Sequence, residues 1–220
     1  AENQVEFFVG TDSNKKSLGT ANVSGDAATL SDVEISQEKG FAVGENTITA
    51  EYGGSMGLKP QTGSTRLTVQ GDLKDAIVTV NGEYFYTNSP ITPEVSVTWN
   101  GTRLTKDTDY TVDYTDNTNA GKATVTVTGK GNYTGTASTT FTIGKAEQAA
   151  LSITGKPTTV YNGDTFTLTT TGGSGTGTVT WEIISGPATV DANGKVTVTG
   201  IGEIQIKAIK AADTEYAQSE

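Results

Sequence analysis

Apolar and polar positions alternate in several short runs of this 220-residue chain. In one run, Val95, Val97 and Trp99 are separated by Ser96 and Thr98. The same period of two recurs in the runs 110–114, 123–128 and 137–143. Successive side chains of a strand point to opposite faces, so this period predicts half-buried antiparallel strands with apolar residues inward and threonines outward. The pattern therefore predicts an all-β fold.

Turn signals separate the predicted strands. Asn81-Gly82 and Asn100-Gly101 are dipeptides that favour tight two-residue hairpins, and the run DANG at 191–194 predicts another. The stretch GKGNYTGT at 129–136 carries glycines and a lysine, as a phosphate-binding loop does. That loop requires a helix after it, whereas a strand pattern follows here. We therefore predict a connection between two strands, with Tyr133 covering the edge of the core.

A strand–loop–strand pattern recurs along the chain, and Thr49, Thr126 and Ile206 align at spacings of 77 and 80 residues. Strands at this density, with regular turns, predict small β-sandwiches. Three units follow, at residues 1–70, 71–145 and 146–220, with short linkers at 70–72 and 144–148. The first unit begins almost directly on a strand and the third lacks a closing strand. We therefore expect the outer two units to be truncated and the chain to be an excerpt of a longer tandem array.

Composition agrees with a β-rich fold and excludes several classes of function. The chain has 41 Thr and 27 Gly, residue types that suit strands and turns. Its net charge is −10, so nucleic acid is not an expected partner. It has no Cys and no His, which excludes disulfides, Ser-His-Asp groups and most zinc sites. No segment is apolar enough to span a membrane as a helix. We name no catalytic or cofactor-binding residue, and expect a protein that is not an enzyme.

Acidic residues raise the question of a Ca²⁺ site. Asp107, Asp109 and Asp113 lie in the run 106–117, and Ca²⁺ takes oxygen ligands from acidic loops. A second candidate uses Asp72 or Asp75 between the first two units. The spaced DxDxDG-type loop is missing from the run 106–117. The competing interpretation, solvated carboxylates and turn caps, is the one that we favour, so no cofactor or metal ligand is predicted.

Aromatic residues are concentrated in the unit 71–145, which holds eight of the sixteen in the chain. If 83–87 is extended, Tyr84 and Tyr86 point one way and Phe85 the other. One hypothesis is that Tyr84 and Tyr86 are exposed and stack on sugar rings. The other is that the aromatics fill the core of a unit that has few large aliphatic residues, since a buried tyrosine needs only a partner for its hydroxyl.

Longer stretches resemble known bacterial domains. The run 109–143, with DYTVDY, NAGKATVTVTGKGNYTGT and FTI, resembles a repeat common in large surface proteins of Gram-positive gut bacteria. ATVDANGKV at 188–196, followed by GEIQI at 202–206, resembles immunoglobulin-like (Ig-like) domains of invasin- and intimin-like adhesins. VEFFV at 5–9 and GENTITA at 44–50 are similar to another bacterial Ig-like type. The resemblance implies tandem Ig-like β-sandwich domains and an extracellular location on the bacterial cell surface.

Two functions follow from these expectations. The first is a non-catalytic structural or adhesive segment, a stalk of tandem Ig-like repeats in a bacterial cell-surface protein. The alternative is a carbohydrate-binding accessory module of a secreted or surface polysaccharide-degrading enzyme, with Tyr84 and Tyr86 as the glycan-binding residues. In either case we expect a monomer whose partner is a host or cell-surface protein or a glycan.

Overall fold

The computed structural model describes residues 3–55 and 57–219; Met56, in the run GGSMGLKPQTG at 53–63 that the repeat pattern predicts to be a loop, lies outside them. Strands account for 52% of the structure and helical turns for 3%. The all-β prediction is therefore confirmed. The helical part of the described chain is two short 3-10 turns, Asp12–Asn14 and Leu73–Asp75.

The described residues form 21 strands, which are numbered in chain order. They are β1 (Gln4–Val9), β2 (Lys16–Ser24), β3 (Ala27–Ala28), β4 (Gly44–Tyr52), β5 (Gln61–Val69), β6 (Gly71–Asp72), β7 (Ile77–Val80), β8 (Tyr84–Phe85), β9 (Val95–Trp99), β10 (Thr102–Arg103), β11 (Tyr110–Thr115), β12 (Gly121–Gly129), β13 (Tyr133–Thr134), β14 (Thr136–Gly144), β15 (Leu151–Thr154), β16 (Thr165–Thr167), β17 (Thr169–Gly172), β18 (Val179–Ser185), β19 (Ala188–Val190), β20 (Lys195–Val198) and β21 (Gln205–Lys210).

These strands are arranged in several small sheets. In the described chain their orders are β3-β2-β1-β4-β5, β10-β9-β7, β11-β12-β14-β8, β13-β6, β15-β17, β16-β20-β19 and β18-β21. The chain divides into two compact units: unit 1 holds residues 1–78, 96–112 and 126–138, and unit 2 holds 79–95, 113–125 and 139–220. The boundary falls within five strands, β7, β9, β11, β12 and β14. The division into 1–70, 71–145 and 146–220 and the tandem Ig-like arrangement stay predictions.

Unit 1 begins with a five-stranded antiparallel sheet. Its longest pairing joins β4 to β5 over nine residue pairs, from Gly44 opposite Val69 to Tyr52 opposite Gln61. Apolar side chains on one face of the sheet and in the segment 29–43 line an open groove of about 210 Å³. Its lining residues are Phe7, Leu18, Leu30, Val33, Ile35, Phe41, Ile48 and Leu67. The segment 29–43 therefore covers the apolar face that the alternating pattern creates.

Asn46 holds the end of that covering segment in place. Its side chain is buried, with 6% of its surface exposed. The Oδ1 atom accepts from the Ala42 N–H at 2.8 Å, and Nδ2 donates to the carbonyls of Ala42 at 2.8 Å and Gly44 at 3.0 Å. Buried polar groups are costly unless they are hydrogen-bonded. The buried Asn46 side chain therefore needs the backbone groups of this turn, and its hydrogen bonds in return stabilise the turn.

The stretch GKGNYTGT joins β12 to β14, as predicted, and it also forms a short strand of its own. Within it, β13 pairs in parallel with β6, so that Tyr133 lies opposite Gly71. The Tyr133 ring meets the Trp99 ring edge to face at 5.7 Å. A Cβ on Gly71 would lie 2.7 Å from the Tyr133 ring, so a glycine is required there. Tyr133 is half-buried beside Trp99, which agrees with a role at the edge of the core.

The three turn predictions have different outcomes. Asn100 and Gly101, with φ of 46° and 77°, connect β9 to β10 in a hairpin, as predicted. The turn at 191–194 connects the antiparallel strands β19 and β20, also as predicted. The prediction of a hairpin at Asn81-Gly82 is wrong. Here β7 lies beside β9, whereas β8 pairs in parallel with β14, so this turn sends the chain from one sheet to another.

Burial follows the alternating pattern within each strand. In β12, Ala123, Val125 and Val127 are fully buried, whereas Thr124 and Thr126 are half-buried. The buried apolar residues of unit 1 are Val9, Phe41, Leu73, Val97, Leu104, Tyr110 and Val127. Those of unit 2 are Val95, Ala123, Val125, Phe141, Ile143, Leu168, Val196, Val198 and Ala208. The inward face predicted from sequence is therefore confirmed in these strands.

One extended segment of unit 2 serves two sheets. In its first half β16 pairs with β20, and in its second half β17 pairs with β15. The break falls at Leu168, which is 3% exposed and whose N–H donates to the Gly194 carbonyl at 2.9 Å. The segment therefore links these two sheets, and the buried residue Leu168 lies at the point where the chain passes from one to the other.

Candidate functional site

The predicted glycan-binding residues Tyr84 and Tyr86 lie on and just after β8, in unit 2. In the β8–β14 pairing Tyr84 is opposite Ile143, and the Tyr86 N–H donates to the Gly144 carbonyl at 2.9 Å. Tyr84 and Tyr86 are half-buried, whereas Phe85 between them is 54% exposed. Side-chain burial therefore alternates along 84–86 as predicted, and the most exposed ring of the run is that of Phe85 rather than that of either tyrosine.

Tyr84 packs against the core. Its ring meets that of the buried Phe141 edge to face, with centroids 5.4 Å apart and an angle of 71° between the planes. Its hydroxyl donates to the Asn81 carbonyl at 2.5 Å. Both the ring and the hydroxyl therefore have partners within the protein, as a core tyrosine requires.

Tyr86 belongs to a different cluster. Its ring meets the Tyr216 ring edge to face at 5.5 Å and 83°, and its hydroxyl donates to Asn88 Oδ1 at 3.0 Å. The pKa of Tyr86 is raised above its ordinary value by desolvation and then by the neighbouring Tyr216, Glu215 and Asp213. Tyr86 therefore keeps its proton throughout the physiological range and remains a hydrogen-bond donor.

The turn 213–216 positions Tyr216. The Asp213 carboxylate accepts from the backbone N–H groups of Thr176 at 2.5 Å, Tyr216 at 2.8 Å and Glu215 at 2.9 Å. These three bonds, with that to Thr176 the strongest, lower the pKa of Asp213 to about 2, and the smaller effect of desolvation opposes them. At neutral pH the side chain is an anion that fixes this turn.

A polar groove of about 380 Å³ is formed by the loop 116–122 between β11 and β12. The loop is tied down at both ends. Asn117 exchanges two hydrogen bonds with the Ile91 backbone, at 2.8 and 2.9 Å, and the Ala120 N–H donates to Glu215 Oε2 at 2.7 Å. The second bond joins the loop to the residue next to Tyr216. The structure therefore brings the Tyr86–Tyr216 pair and this polar loop into one connected cluster.

Only one of the two predicted residues, Tyr86, belongs to this cluster, which we call the Tyr86–Tyr216 site. The sequence analysis missed Tyr216, Glu215 and Asp213. A local signal was present in Asp213. An Asp side chain favours a turn because it can accept hydrogen bonds from the backbone N–H groups two or three residues further along the chain. What the sequence could not show is that the run ADTEY at 212–216 lies beside Tyr86.

The acidic residues considered for Ca²⁺ act as turn caps where the structure defines their contacts. The Asp109 carboxylate accepts from the Thr105 N–H at 2.8 Å, and Asp72 Oδ1 accepts from the Lys74 N–H at 3.0 Å. Asp113 is exposed on β11. Within 3–55 and 57–219, the acidic side chains form no group of three or more that is arranged to hold a metal ion.

Two further findings bear on function. In the described part of the chain, no helix has the length and apolar character needed to cross a membrane. No family model, curated protein or solved structure shows a significant match to this chain.

Proposed function

We propose that this chain is a non-catalytic stalk, a structural or adhesive segment made of tandem Ig-like domains in a bacterial cell-surface protein. It lies outside the cell, acts as a monomer, and carries or contacts a host or cell-surface protein or glycan. The all-β architecture and the resemblance of its strand and turn motifs to bacterial surface repeats support this function. The proposal requires joints between domains that resist opening.

The hydrogen bonding of the two predicted linkers is the observation that carries the proposal. In the first linker, the Gly71 N–H donates to the Asn132 carbonyl at 3.0 Å. In the second, the Ala146 N–H donates to the Glu215 carbonyl at 2.9 Å, and the Ala146 carbonyl accepts from the Ala217 N–H at 2.8 Å. Free linkers are flexible and expose their backbone, whereas these segments are paired with neighbouring strands or turns.

Trypsin cleavage after Lys145 tests the second linker. The Lys145 ammonium donates to the Asp213 carbonyl, and the Asp213 carboxylate holds the turn that pairs with Ala146. We expect slow cleavage in the wild-type chain and several-fold faster cleavage in Asp213→Ala. Asp191→Ala is the matched control, because that carboxylate also accepts two backbone N–H groups, in the β19–β20 hairpin. It should leave cleavage after Lys145 unchanged. Cleavage of the folded wild-type chain there as fast as in the denatured chain would exclude a stalk.

The Tyr86–Tyr216 site favours a second candidate function, glycan binding. Aromatic rings next to polar groups are the usual composition of sugar sites, since the rings supply apolar faces and the polar groups bind hydroxyls. The loop 116–122 provides such polar groups in Asp116, Asn119 and Lys122. In this interpretation the chain is an accessory module of a polysaccharide-degrading enzyme.

Affinity gel electrophoresis separates the two functions. Gels containing soluble xylan, β-glucan or mannan would retard the wild-type chain if it binds one of them. A glycan site requires that Tyr86→Ala abolish the retardation, whereas Tyr161→Ala should preserve it, because Tyr161 is 73% exposed and lies elsewhere in the chain. If no polysaccharide retards the wild-type chain, the glycan function is wrong and the stalk remains.

A further inference from the structure

Asparagine followed directly by glycine occurs four times in this chain, at 81–82, 100–101, 162–163 and 193–194. This dipeptide is reactive in water, because the backbone nitrogen of the glycine can attack the side-chain carbonyl carbon of the asparagine, and glycine has no Cβ to obstruct the approach. The nitrogen becomes a nucleophile only after its N–H has lost a proton. The backbone must also turn so that a five-membered ring can close. The local structure of each pair therefore decides whether it reacts in the folded protein.

Two of the four pairs are held by backbone hydrogen bonds. The Gly163 N–H donates to the Val198 carbonyl at 2.9 Å, and the Gly194 N–H donates to the Asp191 carbonyl at 3.1 Å. Gly194 is also buried. An N–H that is hydrogen-bonded in the folded chain exchanges its proton only when the structure opens locally. Attack by the nitrogen is therefore suppressed at both pairs.

The third pair, Asn100-Gly101, is exposed, but its conformation is unsuitable. Asn100 has φ of 46°, in the left-handed region that a two-residue hairpin requires. Left-handed backbone has ψ near about +47°, which places the Gly101 nitrogen on the opposite side of the Cα–C bond from the Asn100 Cβ. The ring needs these two atoms on the same side. The hairpin between β9 and β10 therefore has to open before this pair can react.

The fourth pair, Asn81-Gly82, has neither restraint. Both residues are exposed, and Asn81 lacks a positive φ. Within the part of the chain that the structure describes, the Gly82 N–H and the Asn81 side chain have no hydrogen-bond partner. This pair is therefore the one whose nitrogen can lose its proton and whose side chain can move without breaking a hydrogen bond.

The Tyr84 hydroxyl acts on the same peptide bond. It donates to the Asn81 carbonyl oxygen at 2.5 Å, and that oxygen belongs to the same peptide unit as the Gly82 nitrogen. When the Gly82 N–H is deprotonated, resonance places much of the negative charge on this oxygen. A hydrogen bond to the charged form favours it, as the donors of an oxyanion hole do. The Tyr84 ring is held on Phe141, with centroids 5.4 Å apart, so the donor is already in position.

We propose that Asn81 is a site of spontaneous deamidation, and that the Tyr84 hydroxyl promotes the reaction by stabilising the anion of the Asn81-Gly82 peptide. Hydroxide removes the proton from the Gly82 nitrogen, which then attacks Asn81 Cγ. A C–N bond forms, the bond from Cγ to Nδ2 breaks, and ammonia leaves with a proton taken from water.

The ring that results is a succinimide, and water opens it at either of its two carbonyl carbons. Opening at Cγ gives aspartate with the ordinary backbone, whereas opening at the backbone carbon gives isoaspartate, in which the chain runs through the former side chain. The Gly82 nitrogen regains a proton in both cases. One water is consumed, one ammonia is released, and nothing is oxidised or reduced. The proposal is independent of the stalk and of the Tyr86–Tyr216 site.

Mass spectrometry of the wild-type chain, incubated in mildly alkaline buffer, tests the ranking of the four pairs. Replacement of the amide by a carboxyl raises the mass, and peptide fragmentation assigns the increase to a residue. In the folded chain we expect conversion to be fastest at Asn81, slower at Asn100, and slowest at Asn162 and Asn193. In urea this ranking should disappear, because all four are followed by glycine. Conversion of Asn81 in the folded chain no faster than that of Asn162 and Asn193 would overturn the proposal.

The variant Tyr84→Phe tests the hydroxyl while keeping the ring on Phe141. Hydrogen bonds to charged groups are stronger than those to neutral groups, so the variant should deamidate about five- to tenfold more slowly at Asn81. Amide hydrogen exchange at Gly82, followed by NMR, should slow by the same factor, because both processes begin with loss of the same proton. In urea the variant and the wild-type chain should react at equal rates.

The matched control is Tyr114→Phe. The Tyr114 hydroxyl also donates to a backbone carbonyl, that of Pro93, so this variant loses the same kind of bond at a different peptide unit, and its rate at Asn81 should be unchanged. A tyrosine that merely restrained the turn would have the opposite effect, since its loss would speed both deamidation and exchange. Unchanged or faster reaction of Asn81 in Tyr84→Phe would therefore overturn the role of Tyr84, and the ranking in the wild-type chain does not depend on either variant.

Discussion

Replacing Asn46 tests whether one buried amide holds the segment 29–43 on the first sheet. Asn46→Ala removes three hydrogen bonds, one from the Ala42 N–H and two to the carbonyls of Ala42 and Gly44. Each is worth about 0.5–1.5 kcal/mol net, which bounds the loss at about 1.5–4.5 kcal/mol. Ala42 is exposed, so water can replace part of its bonding. We therefore expect a loss of about 2–3 kcal/mol.

Hydrogen exchange measured by mass spectrometry on peptides covering 36–52, with urea unfolding alongside, provides the assay. It reads the local stability of this segment, which matters because a chain with two compact units need not unfold in one step. The control is Asn22→Ala in the same sheet: Asn22 is exposed and its side chain accepts one bond, from Gln4. That variant should change stability by less than about 0.5 kcal/mol. An equally small effect of Asn46→Ala would refute the reasoning.

The isosteric change Asn46→Asp adds a pH test. A carboxylate can accept from the Ala42 N–H but cannot donate to the two carbonyls, so the charged form is disfavoured in the folded state and the pKa of the introduced acid is raised there. The variant should therefore be most stable below the unfolded-state pKa of about 3.9. It should lose stability as the pH rises through the higher folded-state value. Stability that instead rises with pH relative to the wild-type chain would contradict this role of Nδ2.

Three further predictions concern other parts of the chain. Leu73→Ala, at a fully buried side chain, should cost about 2–5 kcal/mol, whereas Leu58→Ala, at a residue 67% exposed, should be near neutral; urea unfolding measures both. Because the pKa of Asp213 is lowered to about 2, its stabilisation of the turn 213–216 is present above the unfolded-state value of about 3.9 and is lost as the pH falls towards 2. The NMR signal of Tyr216 should follow that loss, and in Asp213→Asn it should not titrate in this range. Gly175→Ala should loosen the same turn, since φ is +66° and a Cβ would collide with the Asp213 carboxylate. If the amide hydrogen of Tyr216 exchanges at the same rate in Gly175→Ala as in the wild-type chain, the close approach of Gly175 to Asp213 is not needed for the turn.

Local patterns account for the elements that were predicted correctly. In β12, β14 and β20 the alternation of apolar residues and threonine matches the burial, because the period of two is a property of the extended backbone itself. The turn at Asn100-Gly101 was also predictable, since both residues adopt the positive φ that this turn needs.

The same dipeptide at Asn81-Gly82 shows where local reasoning fails. It marks a turn correctly, but Asn81 lacks the positive φ of a two-residue hairpin and Gly82 has φ of 117°. The following strand pairs with β14, some sixty residues later, so the partner of β8 was chosen by packing of Tyr84 on Phe141 rather than by the turn. The turn residues carry no information about which sheet takes the next strand.

The residues of the candidate site also differ in whether the sequence alone could identify them. Tyr86 could be singled out from its neighbours in sequence, because an aromatic run in an extended segment places its rings on two faces. Tyr216 could not, since it lies 130 residues away and reaches Tyr86 only through the turn that Asp213 stabilises. Asn46 was also missed, because nothing in GENTITA distinguishes a buried asparagine from the polar positions of an exposed strand face.

By itself, the sequence determined that this protein is built of strands, which side chains of several strands face inward, and where many of the turns lie. These properties depend on φ and ψ preferences and on a side-chain period that each strand has alone. Tertiary structure decided which strands pair, and it placed Gly71-Asp72 beside Tyr133-Thr134. The reason is that every strand offers the same backbone donors and acceptors, so partner choice depends on distant apolar contacts.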